Sequence, residues 1–150
     1  MAQQKSIKTW RAPGRVNIIG EHTDYNEGFV MPIAIQLGCT IKAKPIAKPV
    51  IEAVSKQLEG VERWAIADIP SLAPAKTWGD YVAGVAKELV LAGYELRPMR
   101  LEIDATVPTG SGLSSSAALD VSAALAFLDG RPFEKIELAR LCQRAERNHV

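Results

Sequence analysis

The sequence predicts a two-layer α+β domain in which helices cover a sheet of five or six strands. Short apolar runs bounded by glycine, proline or polar turns fill most of the chain before residue 70, and such runs are typical of strands. Apolar residues recur at helical spacing in three later stretches. With 150 residues the chain is long enough for one domain with a substantial core.

A polar lead at residues 1–6 precedes the predicted strands, which are joined by short turns. Tyr25–Gly28 is the clearest turn candidate, and the prolines at 70 and 74 predict a loop over 69–76. The predicted strands are residues 7–11, 16–19, 29–35, 35–48, 50–54, 61–66 and 100–107.

The first predicted helix begins at Thr77, with Asp80 in the capping-box position, and ends at Gly93. Trp78 and Tyr81 could line an adenine pocket, although core packing is the default interpretation of aromatic side chains. The other two helices are predicted over about 114–128 and 134–149. Their predicted inward residues are Leu113, Ala117, Val121, Ala124 and Leu128 in the former, and Ile136, Ala139, Leu141, Cys142 and Ala145 in the latter.

The composition narrows the class of partner. Lys and Arg number 18 against 17 Asp and Glu, so no nucleic acid and no acidic membrane is indicated as a partner. No apolar stretch has the length of a membrane span, and the first residues lack the apolar core of a signal peptide, so the cytoplasm is the expected compartment. Cys39 and Cys142 are expected to be free thiols, with Cys142 a buried small hydrophobe.

A glycine and serine loop, TVPTGSGLSSSAAL at residues 106–119, links the last strand to the second helix. A helix N-terminus carries unpaired N–H groups and partial positive charge, and glycines let a backbone approach phosphate oxygens closely. An ordinary loop with a serine N-cap is the alternative interpretation. The loop is not a Walker A motif, because no G-K-[ST] closes it.

A second polar cluster lies within residues 12–35, between apolar strand segments. Carboxylates and imidazoles hydrogen-bond sugar hydroxyls, and a guanidinium can stabilise a transferring phosphoryl group. A structural ion-pair network around a hairpin would use the same residue types. The cluster comprises Arg15, Glu21, His22, Thr23 and Asp24.

These two segments resemble known kinase motifs. GRVNIIGEHTDYN at residues 14–26 resembles the substrate motif of galactokinases, and PTGSGLSSSAAL at 108–119 resembles the nucleotide loop of the GHMP kinases. WGDYVAGV at 78–85 is similar to a third stretch of the family. The resemblance implies a ribosomal-protein-type domain 2-like fold, the GHMP kinase N-terminal domain, with a left-handed β-α-β crossover.

The resemblance also implies roles for residues, with ATP and Mg²⁺ as cofactors. Arg15 would support phosphoryl transfer, and Glu21, His22 and Asp24 would hold the sugar hydroxyls, with Thr23 in the same segment. Ser116 and Glu146 would bind Mg²⁺, and Ser55 falls where the family has a nucleotide-contacting serine. The residues that would wrap the ATP phosphates are Gly110, Ser111, Gly112, Leu113, Ser114, Ser115 and Ser116.

The expected reaction is phosphorylation of D-galactose at its 1-hydroxyl. Galacturonate, arabinose or N-acetylgalactosamine as substrate, a non-catalytic regulator that binds galactose and ATP, and a purely structural role of both motifs are the alternatives. The family's G-I-M-D-Q motif, which carries the catalytic base, is expected beyond Val150. The chain is therefore expected to be an N-terminal portion with little kinase activity alone and an uncovered apolar face that favours self-association.

Overall fold

A computed structural model describes residues 6–150 of the chain, so most of the predicted polar lead, residues 1–5, lies outside the described residues. The strands are β1 Lys8–Ile19, β2 Met31–Pro45, β3 Val50–Ser55, β4 Val61–Ala65 and β5 Met99–Ala105. The α-helices are α1 Glu21–Asp24, α2 Gly79–Leu91, α3 Ser115–Leu128 and α4 Lys135–His149, and a 3₁₀ helix spans Ile66–Ser71.

The strands form one mixed sheet in the order β1-β2-β5-β3-β4. All neighbours are antiparallel except β3 and β5, which run parallel and are connected through β4, the 3₁₀ helix and α2. The predicted two-layer α+β class is confirmed. The handedness of the β3–β5 connection stays a prediction.

The helices cover one face of the sheet because apolar side chains alternate along the strands. On β2, Cys39, Ile41 and Ala43 are buried, whereas the intervening Lys42 and Lys44 are exposed on the opposite face. Helix α3 lies against β1 and β2, and α2 and α4 pack on each other and on α3. This arrangement buries α3 most deeply and places its N-terminus beside the end of β5.

The inward faces of the last two helices differ in part from the prediction. In α3, Ala117 is exposed and Phe127 is fully buried, since this helix is enclosed on several sides. In α4, Leu141, Cys142 and Ala145 are buried as predicted, but Ile136 is 60% exposed and Leu138 is buried instead. Ala139 is also exposed. The helical spacing of the buried residues is as predicted. The residues predicted to face inward at the start of α4 are wrong, because the neighbouring elements decide which side of the helix is buried.

The predicted capping box at the start of α2 is wrong. The helix begins at Gly79, and the Asp80 carboxylate accepts hydrogen bonds from the backbone N–H groups of Ala75 and Lys76, at 2.9 and 2.7 Å. Asp80 therefore fixes the preceding loop and not the N–H of Thr77. The predicted end of the helix is confirmed, because Gly93 has a φ of 90° and donates to the Val90 carbonyl.

Two pairs of predicted strands are single strands in the structure. β1 continues through Pro13 and Gly14, and β2 begins at Met31 and covers both segments predicted near Ile35. Part of the predicted loop before α2 is the 3₁₀ helix, which contains Pro70. Within residues 6–150 no helix is long and apolar enough to cross a membrane.

Candidate active site

Strand β1 lies against the glycine and serine loop at Gly14. The register between β1 and β2 shifts between Pro13 and Arg15, where residues 35–37 of β2 face the single residue Gly14, so the extra residues of this irregularity lie on β2. A Cβ at Gly14 would lie 2.8 Å from the Leu113 carbonyl oxygen and 3.0 Å from Val107 Cγ2. The Arg15 N–H donates to the same Leu113 carbonyl at 3.1 Å. Residues almost one hundred positions apart are thereby joined backbone to backbone.

Replacing Gly14 by alanine should destabilise the domain. Gly14 lacks a positive φ, so the effect comes from the missing space, and the contacting carbonyl is backbone that yields only if the loop shifts. Overpacking of this kind costs about 1–3 kcal/mol. Urea unfolding measures the effect, with exposed Thr9→Ala on the same strand as the control. Unchanged stability would contradict the close contact.

The Arg15 guanidinium connects the two predicted motifs. Its Nε and Nη2 donate to the Ser114 hydroxyl at 3.0 and 2.6 Å, and its Nη1 donates to Asp24 Oδ2 at 2.9 Å. The amide of Asn17 donates to the same Asp24 oxygen at 2.9 Å and accepts from Arg15 Nη1 at 3.3 Å. The positively charged guanidinium of Arg15 is therefore held between the start of α3 and the polar cluster.

The other residues of the polar cluster lie on the single turn α1 and the turn after it. Glu21 and His22 are exposed, and His22 Nδ1 lies 3.0 Å from the Tyr25 hydroxyl. The Thr23 hydroxyl lies 3.0 Å from the Gly20 carbonyl and 2.8 Å from the Phe29 carbonyl. Thr23 therefore closes the turn, whereas Glu21 and His22 remain open to solvent.

One ion pair of the structural network predicted for this cluster is present, that between Arg15 and Asp24. Hydrogen bonds from Asn17 and then Arg15 hold the pKa of Asp24 below its ordinary value. Asp24 is thus a carboxylate at neutral pH and can accept hydrogen bonds from further donors. Among the described residues Glu21 has no ion-pair partner, so the ion-pair network does not account for every charged residue of the cluster.

The start of α3 is open to an anion. Ser114 precedes the helix with φ 61° and ψ 46°, and its hydroxyl makes no capping hydrogen bond because it is engaged by Arg15. The ordinary N-cap interpretation of this serine is therefore wrong. Gly110 and Gly112 have φ of 71° and 74°, which glycine adopts readily, and no atom would lie within 4 Å of a Cβ at either position. The loop leaves room in front of unpaired N–H groups.

A cavity of about 310 Å³ adjoins the loop on one side. Trp78 and Tyr81 line it together with Ser55 and the first serines of α3, Ser115 and Ser116. Both aromatic side chains are only half-buried, so they are available to a ligand, and Trp78 also packs against the core. The Ser55 hydroxyl accepts from the N–H groups of residues 57 and 58, at 3.1 and 3.2 Å, and fixes the turn that walls the cavity.

A second cavity, of about 640 Å³, lies on the other side of α3 and is lined by Arg15, Asp120 and Glu146. Burial and then the Glu146 carboxylate raise the pKa of Asp120 to about 8. Ser116 and Glu146, the two residues implied for Mg²⁺, line different cavities. Across residues 6–150 no three His, Cys, Asp or Glu side chains group as a metal site, so hydroxyls, water or phosphate oxygens would have to complete a cation's shell.

Cys142 lines this second cavity but is no nucleophile. Burial and then the Asp120 carboxylate raise its pKa to about 12. Cys39 and Cys142 are both free and buried, which confirms the prediction for the thiols.

Two site residues were absent from the sequence prediction. Asn17 could have been found from its spacing, because it lies two residues after Arg15 on a strand and so shares its face. Asp120 could have been found as the one charge in the apolar helical run ALDVSAALAFL.

Comparisons with known proteins agree with this geometry. The family model "Galactokinase galactose-binding signature" matches residues 2–45, and "GHMP kinases N terminal domain" matches residues 80–150. Solved structures share the fold: a galactokinase of Lactococcus lactis complexed with galactose has a TM-score of 0.87 at 34% identity, covering 98% of this chain and 39% of that one. A mevalonate kinase of Methanococcus jannaschii has a TM-score of 0.86 at 21% identity, covering 97% and 47%, which shows the fold alone.

The fold and the two motif matches define the chain as the N-terminal domain of a GHMP kinase. Galactokinases of Thermosipho africanus and Streptomyces coelicolor are 39% and 45% identical over 93% and 94% of this chain. The chain belongs to the galactokinase family. It spans 38% and 37% of the lengths of those two relatives.

Proposed function

We propose that the chain supplies the sugar site and the phosphate-donor site of a galactokinase, which transfers the γ-phosphoryl group of ATP to the 1-hydroxyl of D-galactose. The observation that carries the proposal is the Arg15 guanidinium, bonded at once to Ser114 at the phosphate loop and to Asp24 in the sugar motif. This arrangement supports the proposal, because the positive charge of Arg15 would lie between the phosphate donor, ATP, and the acceptor, the sugar hydroxyl.

The residues act by positioning and by electrostatic stabilisation, which dominate phosphoryl transfer. The loop from Gly110 to Ser116 would hold the phosphates of ATP against the N-terminus of α3, and Trp78 and Tyr81 would flank its base in the 310 Å³ cavity. Phosphate oxygens would compete with Ser114 for the Arg15 fork, which binds such oxygens well.

On the sugar side, Asp24, with Glu21 and His22, would accept and donate hydrogen bonds to hydroxyl groups of the sugar, and Thr23 would keep their turn closed. Hydrolysis of ATP by water competes with this transfer unless the cleft excludes water. This is the physical reason for proposing that the chain alone transfers phosphate poorly.

The residues present fit a divalent cation. Asp120 has two buried carboxylate oxygens without a partner beside a second carboxylate, Glu146. Glu146 and Ser116 would hold Mg²⁺ together with phosphate oxygens, a set of oxygen donors that this cation prefers. When bound, Mg²⁺ neutralises charge on the phosphate groups.

An uncovered apolar surface supports self-association of the chain on its own. It surrounds the distal part of the β1–β2 hairpin, where Phe29 is fully exposed and Ile19 is 67% exposed. Large exposed apolar patches mark interaction surfaces or aggregation sites.

The proposal is tested by measuring which sugar the complete gene product phosphorylates. ADP release is measured with galactose, galacturonate, arabinose, N-acetylgalactosamine and no sugar. Galactose is expected to give the highest kcat/KM, and ADP release without sugar should be near zero. A preference for another sugar would replace galactose by that sugar. Binding of galactose and ATP without turnover would instead show the regulatory alternative, which the intact Ser116–Ala117 pair disfavours.

A further inference from the structure

Asp120 lies in the interior, and its carboxyl group has no hydrogen-bond partner among the described residues. The side chain is 1% exposed, and neither carboxylate oxygen has a hydrogen-bond donor among the described residues. A buried polar group without a partner costs about 1–3 kcal/mol, and more when it is charged. Such a group in the middle of α3 points to a ligand that satisfies it.

Asp120 shares its cavity with one other carboxylate. It lines the 640 Å³ cavity with Glu146 of α4, and these two carboxylates raise each other's electrostatic energy. Arg15, Lys135 and Arg140 also line this cavity, but none of them donates to Asp120 in the described part of the chain. The guanidiniums are engaged elsewhere, Arg15 with Ser114 and Asp24 and Arg140 with Glu137.

The position of Asp120 on α3 links the two cavities. Ser116 lies four residues earlier, so the two side chains stand one turn apart on one strip of the helix. Ser116 lines the 310 Å³ cavity at the phosphate loop, and Asp120 lines the larger cavity. This strip of α3 therefore contributes side chains to both cavities.

We propose that Asp120 is a third protein oxygen donor to the divalent cation, shared with Glu146 and with Ser116 on the same strip of α3. The inference rests on the proposed kinase function for the identity of the cation. Two carboxylates and a hydroxyl give a hard cation charge compensation and oxygen ligands, and phosphate oxygens or water would complete its octahedron. The cation in turn removes the repulsion between Asp120 and Glu146 and satisfies the orphaned oxygens.

Binding of Mn²⁺ alone to the chain, followed by electron paramagnetic resonance without nucleotide, tests the proposal. Asp120→Asn keeps the shape of the side chain and removes its charge, so Mn²⁺ affinity should fall by about tenfold or more. Glu102→Gln, a change of an exposed carboxylate on β5, should leave Mn²⁺ affinity unchanged.

An experiment on the unaltered chain covers the case in which the variant fails to fold. Mn²⁺ at low occupancy should broaden the side-chain carboxyl ¹³C signal of Asp120 and leave that of Asp68, on the 3₁₀ helix, sharp. Wild-type Mn²⁺ affinity in Asp120→Asn, or a sharp Asp120 signal, would overturn the proposal. Failure of the kinase proposal is separate, since it would appear as absent galactose and ATP binding with the Mn²⁺ results unchanged.

Discussion

Replacing Arg15 by lysine should lower the kcat of the complete gene product by about 10³-fold or more, the lower end of what an arginine contributes in phosphoryl transfer. In the structure, three nitrogens of Arg15 are used at the same time, two for Ser114 and one for Asp24. A lysine keeps the charge but has a single nitrogen, so it cannot span both partners. The steady-state rate of ADP release with galactose measures this change.

Measuring the affinities for galactose and ATP shows whether Arg15 acts in the transfer step or only in binding the substrates. Both should change far less than kcat, because Arg15 is proposed to stabilise charge that develops during transfer. Arg97→Lys is a matched control, since Arg97 bonds Asp129 near the opposite end of α3. A kcat for Arg15→Lys within threefold of the wild-type value would remove Arg15 from the proposed mechanism.

The layers and most elements of the fold follow from the sequence, because alternation and helical period are local signals. The merger of the predicted strands in β1 does not follow, since Pro13 and Gly14 are ordinary strand breakers. They are accommodated here because Gly14 lies against the Leu113 carbonyl, a contact between distant parts of the chain that leaves no room for a side chain. Local patterns contain no information about such a contact.

In the candidate site, too, local sequence signals predict some features, and contacts between distant residues decide the others. The sequence motifs predicted which segments matter, and the structure brings Arg15, Asp24 and the start of α3 together. The use of the Ser114 hydroxyl could not be predicted, because a serine before a helix usually caps it. Only the position of the Arg15 fork, whose residue is anchored to the loop by its backbone N–H bond to the Leu113 carbonyl, shows that this hydroxyl is already engaged and that the helix N-terminus stays open.

Replacing Asp24 by alanine should weaken galactose binding by about 10- to 150-fold for each hydrogen bond to the carboxylate that is lost, at about 1.5–3 kcal/mol per charged bond. Asn17 and Arg15 lower the pKa of Asp24, so the ratio of the wild-type affinity to that of Asp24→Ala should stay constant as the pH falls toward about 4, the ordinary value for aspartate. Isothermal titration of galactose into the complete protein measures both effects.

Asp68→Asn, on the 3₁₀ helix away from the site, serves as the control for a change of charge. The comparison is sharp because Asp24 has two possible roles in the structure. As a sugar ligand it would contribute directly to affinity, whereas as a brace it would only hold Arg15 and Asn17 in place through the bonds at 2.9 Å. Asp24→Ala with wild-type galactose affinity and a lowered melting temperature would assign the carboxylate to the brace, and the sugar site would then have to be sought at Glu21 and His22.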